Sequence, residues 1–319
     1  MTDILGHLRR RERWGVAEIA FWLALVVGIV AFPARAALVN EALIAGLFAL
    51  SLDLILGLTG VVSLGQAAFF GVGAYTAAIL ANAGYNDPLL GLAAAIVPAA
   101  LVGLATAPLL LRGSDLTRLM VTMGVALMLG ELANREDGWT GGADGLNFTV
   151  APLFGRFSIG SFGEGPRNAA LFSLAVLFVL FLFARRLARS PFGISLTAVR
   201  ENQLRARALG VSASRRIIAI YTVSAAFAGV AGALLAETTQ IASLDLFEFH
   251  RSANVMLMLI IGGAGYLYGG VIGAGLFILI RDVVSAQTPE YWEFWIGLML
   301  VALVLFGRER LAGLVRLKR

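Results

Sequence analysis

The chain has 319 residues, 59% of them hydrophobic and only 14% charged, against about 25% charge in ordinary soluble domains; with a mean hydropathy of +0.85, this is the composition of a polytopic membrane protein. Lys318 is the sole lysine, cysteine is absent, and the two histidines, His7 and His250, fit no zinc motif, which excludes a P-loop, disulfides, thiolate metal sites and a thiol nucleophile. The net charge of +5 sits beside apolar runs and sets orientation, so no nucleic-acid partner, resident metal, bound cofactor or hydrolytic activity is expected.

A span needs roughly 20 apolar residues. In chain order such segments fall at 17–34, 37–58, 61–83, 89–111, 117–134, 168–187, 217–236, 253–280 and 292–307. The expected fold is all-α and polytopic, with roughly 8 to 10 transmembrane segments, some broken by glycine. A basic stretch (1–16) precedes a single membrane domain (17–307), and a basic tail (308–319) follows it. The first segment reads in two ways. Arg9, Arg10, Arg11 and Arg13, the apolar core Ile19 to Phe32, and Ala34-Arg35-Ala36 are signal-peptide grammar; an uncleaved first span is the preferred reading.

Orientation follows the arginines. The amino-terminal stretch, the 184–216 loop and the tail from Gly307 face the cytoplasm, whereas the 135–167 loop, with three arginines and four acids, faces outward. Nine simple crossings would leave the two ends on opposite sides. Segment 253–280 resolves this if Gly262-Gly263-Ala264-Gly265 and Gly269-Gly270 break it into two pieces that enter and leave on one side, an arrangement tolerated where protein or a polar cavity covers the break. Gly65, Gly71 and Gly73 in 61–83 read the same way, or, like Gly269-x-x-x-Gly273, as close helix packing.

The loop from Ala184 to Arg216 carries eight arginines against one acid, Glu201. At about 30 residues it exceeds ordinary helix connections and has room to dock a partner. Pro191 and Gly193 are expected to break the preceding span, Gly210 to terminate a new short helix, and Glu201–Arg205 to form an i,i+4 pair. Leu196, Val199, Leu204 and Leu209 make no single stripe, and a solvated basic loop against lipid headgroups is the plainer alternative. Ionisable or polar residues in or beside spans are functional candidates: Asp53, Gln66 and Glu131, with Asp144 on the outward loop.

Four stretches, in order, carry a resemblance. They are Leu50 to Thr76, containing Gly60-Val-Val-Ser-Leu-Gly-Gln66; Thr140-Gly-Gly-Ala-Asp-Gly-Leu146; Arg189-Ser-Pro-Phe-Gly193 with Ala198-Val-Arg-Glu-Asn202 and Ala208-Leu-Gly210; and Ile260-Ile-Gly-Gly-Ala-Gly265 with Gly269. Over about residues 40 to 306 the chain resembles the LivM branch of the branched-chain amino-acid ABC permeases. The resemblance implies an inner-membrane transport subunit that works with a second homologous permease, two cytoplasmic ATPases that use ATP and Mg, and a periplasmic substrate-binding protein. It implies that Arg200, Glu201, Asn202, Ala208 and Gly210 belong to the segment that couples to the ATPase. Asp53 stands where such permeases usually have asparagine, and Gln66 where they often have histidine; Glu131 matches a family glutamate. An ionised Asp53 would attract an ammonium or an arginine, and a protonated one would hydrogen-bond like the asparagine. Permeases for urea, short amides or aromatic acids share these motifs. An ion-coupled secondary transporter using Asp53 and Glu131 is the alternative from a different class.

Overall fold

The computed structural model describes residues 15–111, 115–153, 155, 157–160, 165–287, 291, 294–295 and 297–298. The basic stretch to residue 14, most of the expected span 292–307 and the tail 308–319 lie outside the described residues.

The apolar runs form helices in the expected order. They are α1 (Val16–Ala31), α2 (Ala36–Thr59), α3 (Gln66–Asn82), α4 (Pro88–Leu110) and α5 (Asp115–Arg135). The outward loop holds a single-turn α6 (Asp137–Thr140) and strand β1 (Leu146–Asn147); then come α7 (Gly165–Arg189), α8 (Pro191–Glu201), α9 (Gln203–Ala208) and α10 (Ala213–Thr239). Strand β2 (Ile241–Ala242), α11 (Phe249–Gly262) and α12 (Leu267–Gln287) complete the described fold. Among the described residues, six helices are long and apolar enough to cross a membrane, with α1 and α11 as shorter apolar helices and α3 a 17-residue one. The protein is an all-α, multi-pass membrane protein.

Burial ranks the helices. In the most apolar windows, 78% of α2 with its preceding turn and 72% of α10 are buried, against 17% of α5. The centre of the bundle is therefore α2 packed on α10, with α3 and α4 against α10, and α7 and α12 against α2. Gly73, Gly229 and Gly232 let α3 and α10 touch backbone to backbone: a Cβ on Gly73 would strike the Gly229 carbonyl, and one on Gly232 the Phe70 carbonyl. This is small-residue packing, which replaces the missing hydrophobic drive between helices in lipid. Helix α1 packs on α7 through Trp22, edge-on to Phe178 and Phe181, and through the Glu18–Arg185 pair at 2.7 Å.

Two expected spans take a different form. In 61–83 only Gln66–Asn82 is helical; residues 60–65 form an irregular stretch that opens on Gly60 in the left-handed region (φ 74°). The segment 253–280 does break into two pieces, α11 and α12, but Gly269-Gly270 lies inside α12 rather than in the break. The turn covers residues 263–266, with Gly263 (φ 92°) and Gly265 (φ 89°) in the left-handed region that only glycine enters freely. Gly262 of α11 faces Gly269 and Gly273 of α12 so closely that a Cβ would meet backbone, clamping the two into an antiparallel hairpin.

The two ends of the bundle differ. One holds the α8–α9 segment and the hairpin turn. The other holds the antiparallel pair β1–β2, with Leu146 opposite Ala242 and Asn147 opposite Ile241. The arginine-rich loop marks the first end as cytoplasmic.

Candidate functional site

At the cytoplasmic end, Ser190 caps α8 by accepting a hydrogen bond from the Gly193 N–H at 3.3 Å, with Pro191 in the first turn. The long span thus ends at Ser190. Gly193 does not break it but sits inside α8, where a Cβ would collide with the Ala188 carbonyl. Asn202 (φ −158°, ψ 103°) interrupts the helix and caps α9, accepting from the Arg205 N–H at 2.9 Å. The expected Glu201–Arg205 pair therefore spans a joint between two helices, and i,i+4 geometry is lost. Gly210 (φ 83°) closes the segment as expected.

The joint sorts its side chains. Leu196, Val199 and Ala206 are buried against the bundle, while Leu204 (77%) and Leu209 (83%) are exposed; Glu201, Asn202 and Ala208 are exposed as well. Arg200, itself exposed, reaches back to the bundle: its Nη1 donates to the Gly57 carbonyl at 2.5 Å, and it lies against Gly60 and Gly265. Asp53 of α2 completes this cluster, its Oδ1 accepting from the Gly265 N–H at 2.7 Å. Arg200 and Asp53 thus tie α8, the end of α2 and the hairpin turn together.

Midway up the bundle lies a second polar feature. Residues 60–65, outside any helix, lack a continuous backbone ladder for their amides, and hydroxyls supply partners. Thr59 accepts from the Val61 N–H, Thr122 from Leu64, Ser63 from Gly65, and Ser252 from Ala67, at 3.0 to 3.3 Å. Ser252 is ten residues from the hairpin turn, about 15 Å along α11, so α3 begins at partial height. Gln66, fully buried, donates from Nε2 to Ser224 at 3.0 Å, and Ser224 donates to the Ser51 carbonyl. The Gln66 Oε1 has no partner among the described residues. Such broken backbone is tolerated in a membrane only inside protein.

At the outer end a cavity of about 430 Å³ opens between α2, α7, α10 and the chain before α11, lined by Asn40, Glu41, Thr238, Ser243 and Arg251 among others. It adjoins a narrower one of about 70 Å³ that shares Glu41, Leu235 and Arg251 and adds Phe48, Phe70, Asn254 and Arg281. Two ion pairs stand here. Arg281 donates to both Glu41 oxygens at 2.6 and 2.7 Å, and Arg251 to Asp245 at 2.7 Å. Burial pushes the Asp245 carboxyl up, but hydrogen bonds from Ser243 and Arg251, with the Arg251 charge, outweigh it and hold the group below its usual value.

The sequence candidates are not one constellation. Asp53 lies at the cytoplasmic end and Gln66 in the mid-height seam. Glu131 is exposed at the other end of α5, paired with Arg135 at 3.2 Å. Asp144 is exposed on a 3₁₀ turn between Gly141, Gly142 and Gly145, all at positive φ. Of the glycines, Gly263 and Gly265 make the turn. Gly65 approaches Thr122, Gly71 the Phe247 ring, and Gly73, Gly262 and Gly269 facing backbone, all as packing contacts. Sequence reasoning missed Glu41, Arg251, Arg281 and Glu237. Glu41 falls within the expected span 37–58, where the rule that singled out Asp53 applies equally. Glu237 and Arg281 each lie one residue past an expected span end. Glu237 is buried, faces Gly91, and has neither carboxylate oxygen hydrogen-bonded among the described residues.

Comparison with known proteins fits this architecture. Residues 34–304 match the family model described as "Branched-chain amino acid transport system / permease component". The chain is 31% identical to the high-affinity branched-chain amino acid transport system permease protein LivM of Salmonella typhimurium, over 94% of this chain and 76% of that protein. The LivM protein of Escherichia coli K12 gives the same values. The autoinducer 2 import system permease protein LsrC of Escherichia coli O157:H7 is 30% identical over 76% of this chain and 70% of its own length. No solved structure matches the chain. With its family model spanning nearly the whole helical bundle, the chain belongs to the permease-component family of branched-chain amino acid transport systems.

Proposed function

We propose that this chain is the permease subunit of an ABC importer for branched-chain amino acids. It works with a second homologous permease, two cytoplasmic ATPases that bind ATP and Mg, and a periplasmic binding protein. One observation carries the reading: the basic α8–α9 joint presents Leu204 and Leu209 outward while Arg200 grips α2 and the hairpin turn inward. A segment built this way receives a push from a cytoplasmic subunit and passes it to the helices that line the path. The binding protein delivers substrate outside, ATP binding closes the ATPase dimer, and the joint conveys that closure to α2 and the α11–α12 hairpin.

The two LivM relatives, which cover more of this chain than the autoinducer 2 permeases do, support branched-chain amino acids as the substrate. Those permeases, at nearly equal identity, favour a second reading in which the same machine imports autoinducer 2 or another small solute. Family membership speaks against an ion-coupled carrier. The test is a pull-down of tagged protein from native membranes, followed by reconstitution with the binding protein. ATP-dependent uptake of labelled leucine, isoleucine or valine by a complex holding a second permease and ATPases is the expected result. Uptake on an ion gradient by the chain alone would overturn the importer reading, and ATP-dependent uptake of another solute only would replace the substrate.

A further inference from the structure

We infer that the paired charges at the outer cavity, Glu41–Arg281 and Asp245–Arg251, form a recognition ring for a zwitterion, which the α-ammonium and α-carboxylate of a passing amino acid engage by exchanging partners. This deepens the amino-acid reading above and rests on it.

Charge balance comes first. The ring holds two cations and two anions, so its net charge is zero, like that of the ligand. A ring of arginines alone would retain anions, and one of carboxylates alone would retain cations. Accessibility comes second. The four side chains are between 33% and 47% exposed; Glu41 and Arg251 line the vestibule, Arg281 lines the inner space, and Asp245 sits behind Arg251 as its partner, and rearranging an exposed pair costs little. Placement comes third. Glu41 and Arg251 line both the vestibule of about 430 Å³ and the narrow space of about 70 Å³ beyond it. The vestibule is within the size range of small-molecule sites, whereas the inner space is closed down, with the Phe48 and Phe70 rings 4.5 Å apart between centroids and Arg251 over Phe70 at 6.0 Å.

A zwitterion entering low dielectric loses hydration at two charged groups at once, a penalty that partnered charges offset. Here Arg251 is released to the ligand carboxylate and Glu41 to its ammonium, while Asp245 keeps the Ser243 hydroxyl as donor. Ile44, Phe48, Phe70, Val255 and Met258 at the inner space then accept an aliphatic side chain. Neutral solutes such as urea find two closed ion pairs and no reason to open them.

The absence of cysteine supplies the test. Asn254→Cys, beside the ring, is labelled with a small thiol reagent in the assembled complex without binding protein, and labelling of this chain is followed by mass spectrometry; Thr239→Cys, on the vestibule wall, is the reporter if the first is not labelled. Leucine or valine at millimolar concentration is expected to slow labelling severalfold, while isocaproate, isoamylamine and urea slow it much less. In the Glu41→Gln/Arg281→Gln double variant, which leaves no unpaired charge behind, the protection is expected to be lost. Equal protection by the singly charged analogues, no protection by any amino acid, or undiminished protection in the double variant would overturn the inference. ATP-driven leucine uptake by the same wild-type preparation, with the binding protein now added, is measured alongside. Absent uptake refutes the amino-acid reading itself, and normal uptake with indifferent labelling refutes only the ring.

Discussion

Asp53 illustrates how a single side chain can be visible in the sequence and still have its task hidden. A carboxyl within an apolar run stands out, but only the fold reveals that its Oδ1 accepts the Gly265 N–H across 212 positions of sequence. An asparagine offers the same acceptor. Asp53→Asn is therefore expected to keep uptake within about twofold of the parent, whereas Asp53→Leu removes the acceptor that ties the hairpin turn to α2, at a cost of about 0.5–1.5 kcal/mol, read as a lower melting temperature in detergent and reduced uptake. Asp245 gives a pH expectation. Its folded pKa is depressed, so the contribution of its contact is present above the unfolded value and is lost as pH falls through the folded one. Asp245→Asn should accordingly change thermal stability at neutral pH, and the difference should shrink only as pH falls below the ordinary aspartate value and through the depressed one; a difference that stays constant throughout the acid titration would show that the charge is not what matters. The arginine and carboxylate partners at the outer cavity were less legible. Glu41 obeys the same in-span rule as Asp53, but Arg281 and Asp245 acquire meaning only when α12 and the chain before α11 come beside it.

At the level of elements, hydropathy placed the helices well because lipid demands length and apolarity, both of which are written locally. It failed where tertiary partners replace the backbone's own hydrogen bonds. Residues 60–65 are as apolar as a span, yet stay non-helical because Thr59, Ser63, Thr122 and Ser252 satisfy amides in and just after them; hydroxyls scattered over three helices and a loop give no local signal. The glycines divided into turn formers and contact formers for the same reason, since the facing backbone decides which is which. Gly73→Val should force α3 from α10 and destabilise the bundle by about 1–3 kcal/mol, measured as a fall in melting temperature. Arg200→Gln removes the link between α8 and the Gly57 carbonyl. Its expected phenotype is a loss of uptake of about tenfold, within the usual span of coupling energies, while binding of the ATPases and their hydrolysis continue. Parallel loss of assembly would assign Arg200 to docking instead.

For the molecule as a whole, side-chain exposure maps onto assembly. Helix α5 is exposed along most of its length, a face for lipid or for a second membrane subunit, whereas α2 and α10 are enclosed. The exposed Leu204 and Leu209 lie on the basic α8–α9 segment. Leu209→Glu is expected to weaken ATPase co-purification, whereas Leu196→Glu, at a buried site, should lower the melting temperature of the permease itself; the two defects separate by assaying stability before assembly. The hairpin adds a mechanical consequence. Its helices are locked by Gly262, Gly269 and Gly273, its turn is held by Asp53 and Arg200, and its far reaches carry Arg251 and Arg281. A body clamped in this way tilts like a rocker instead of flexing. A nudge of an ångström at the cytoplasmic turn displaces both arginines together, Arg251 about 16 Å away along α11 and Arg281 about 21 Å away along α12, so the two latches at the outer mouth would be thrown by a single stroke.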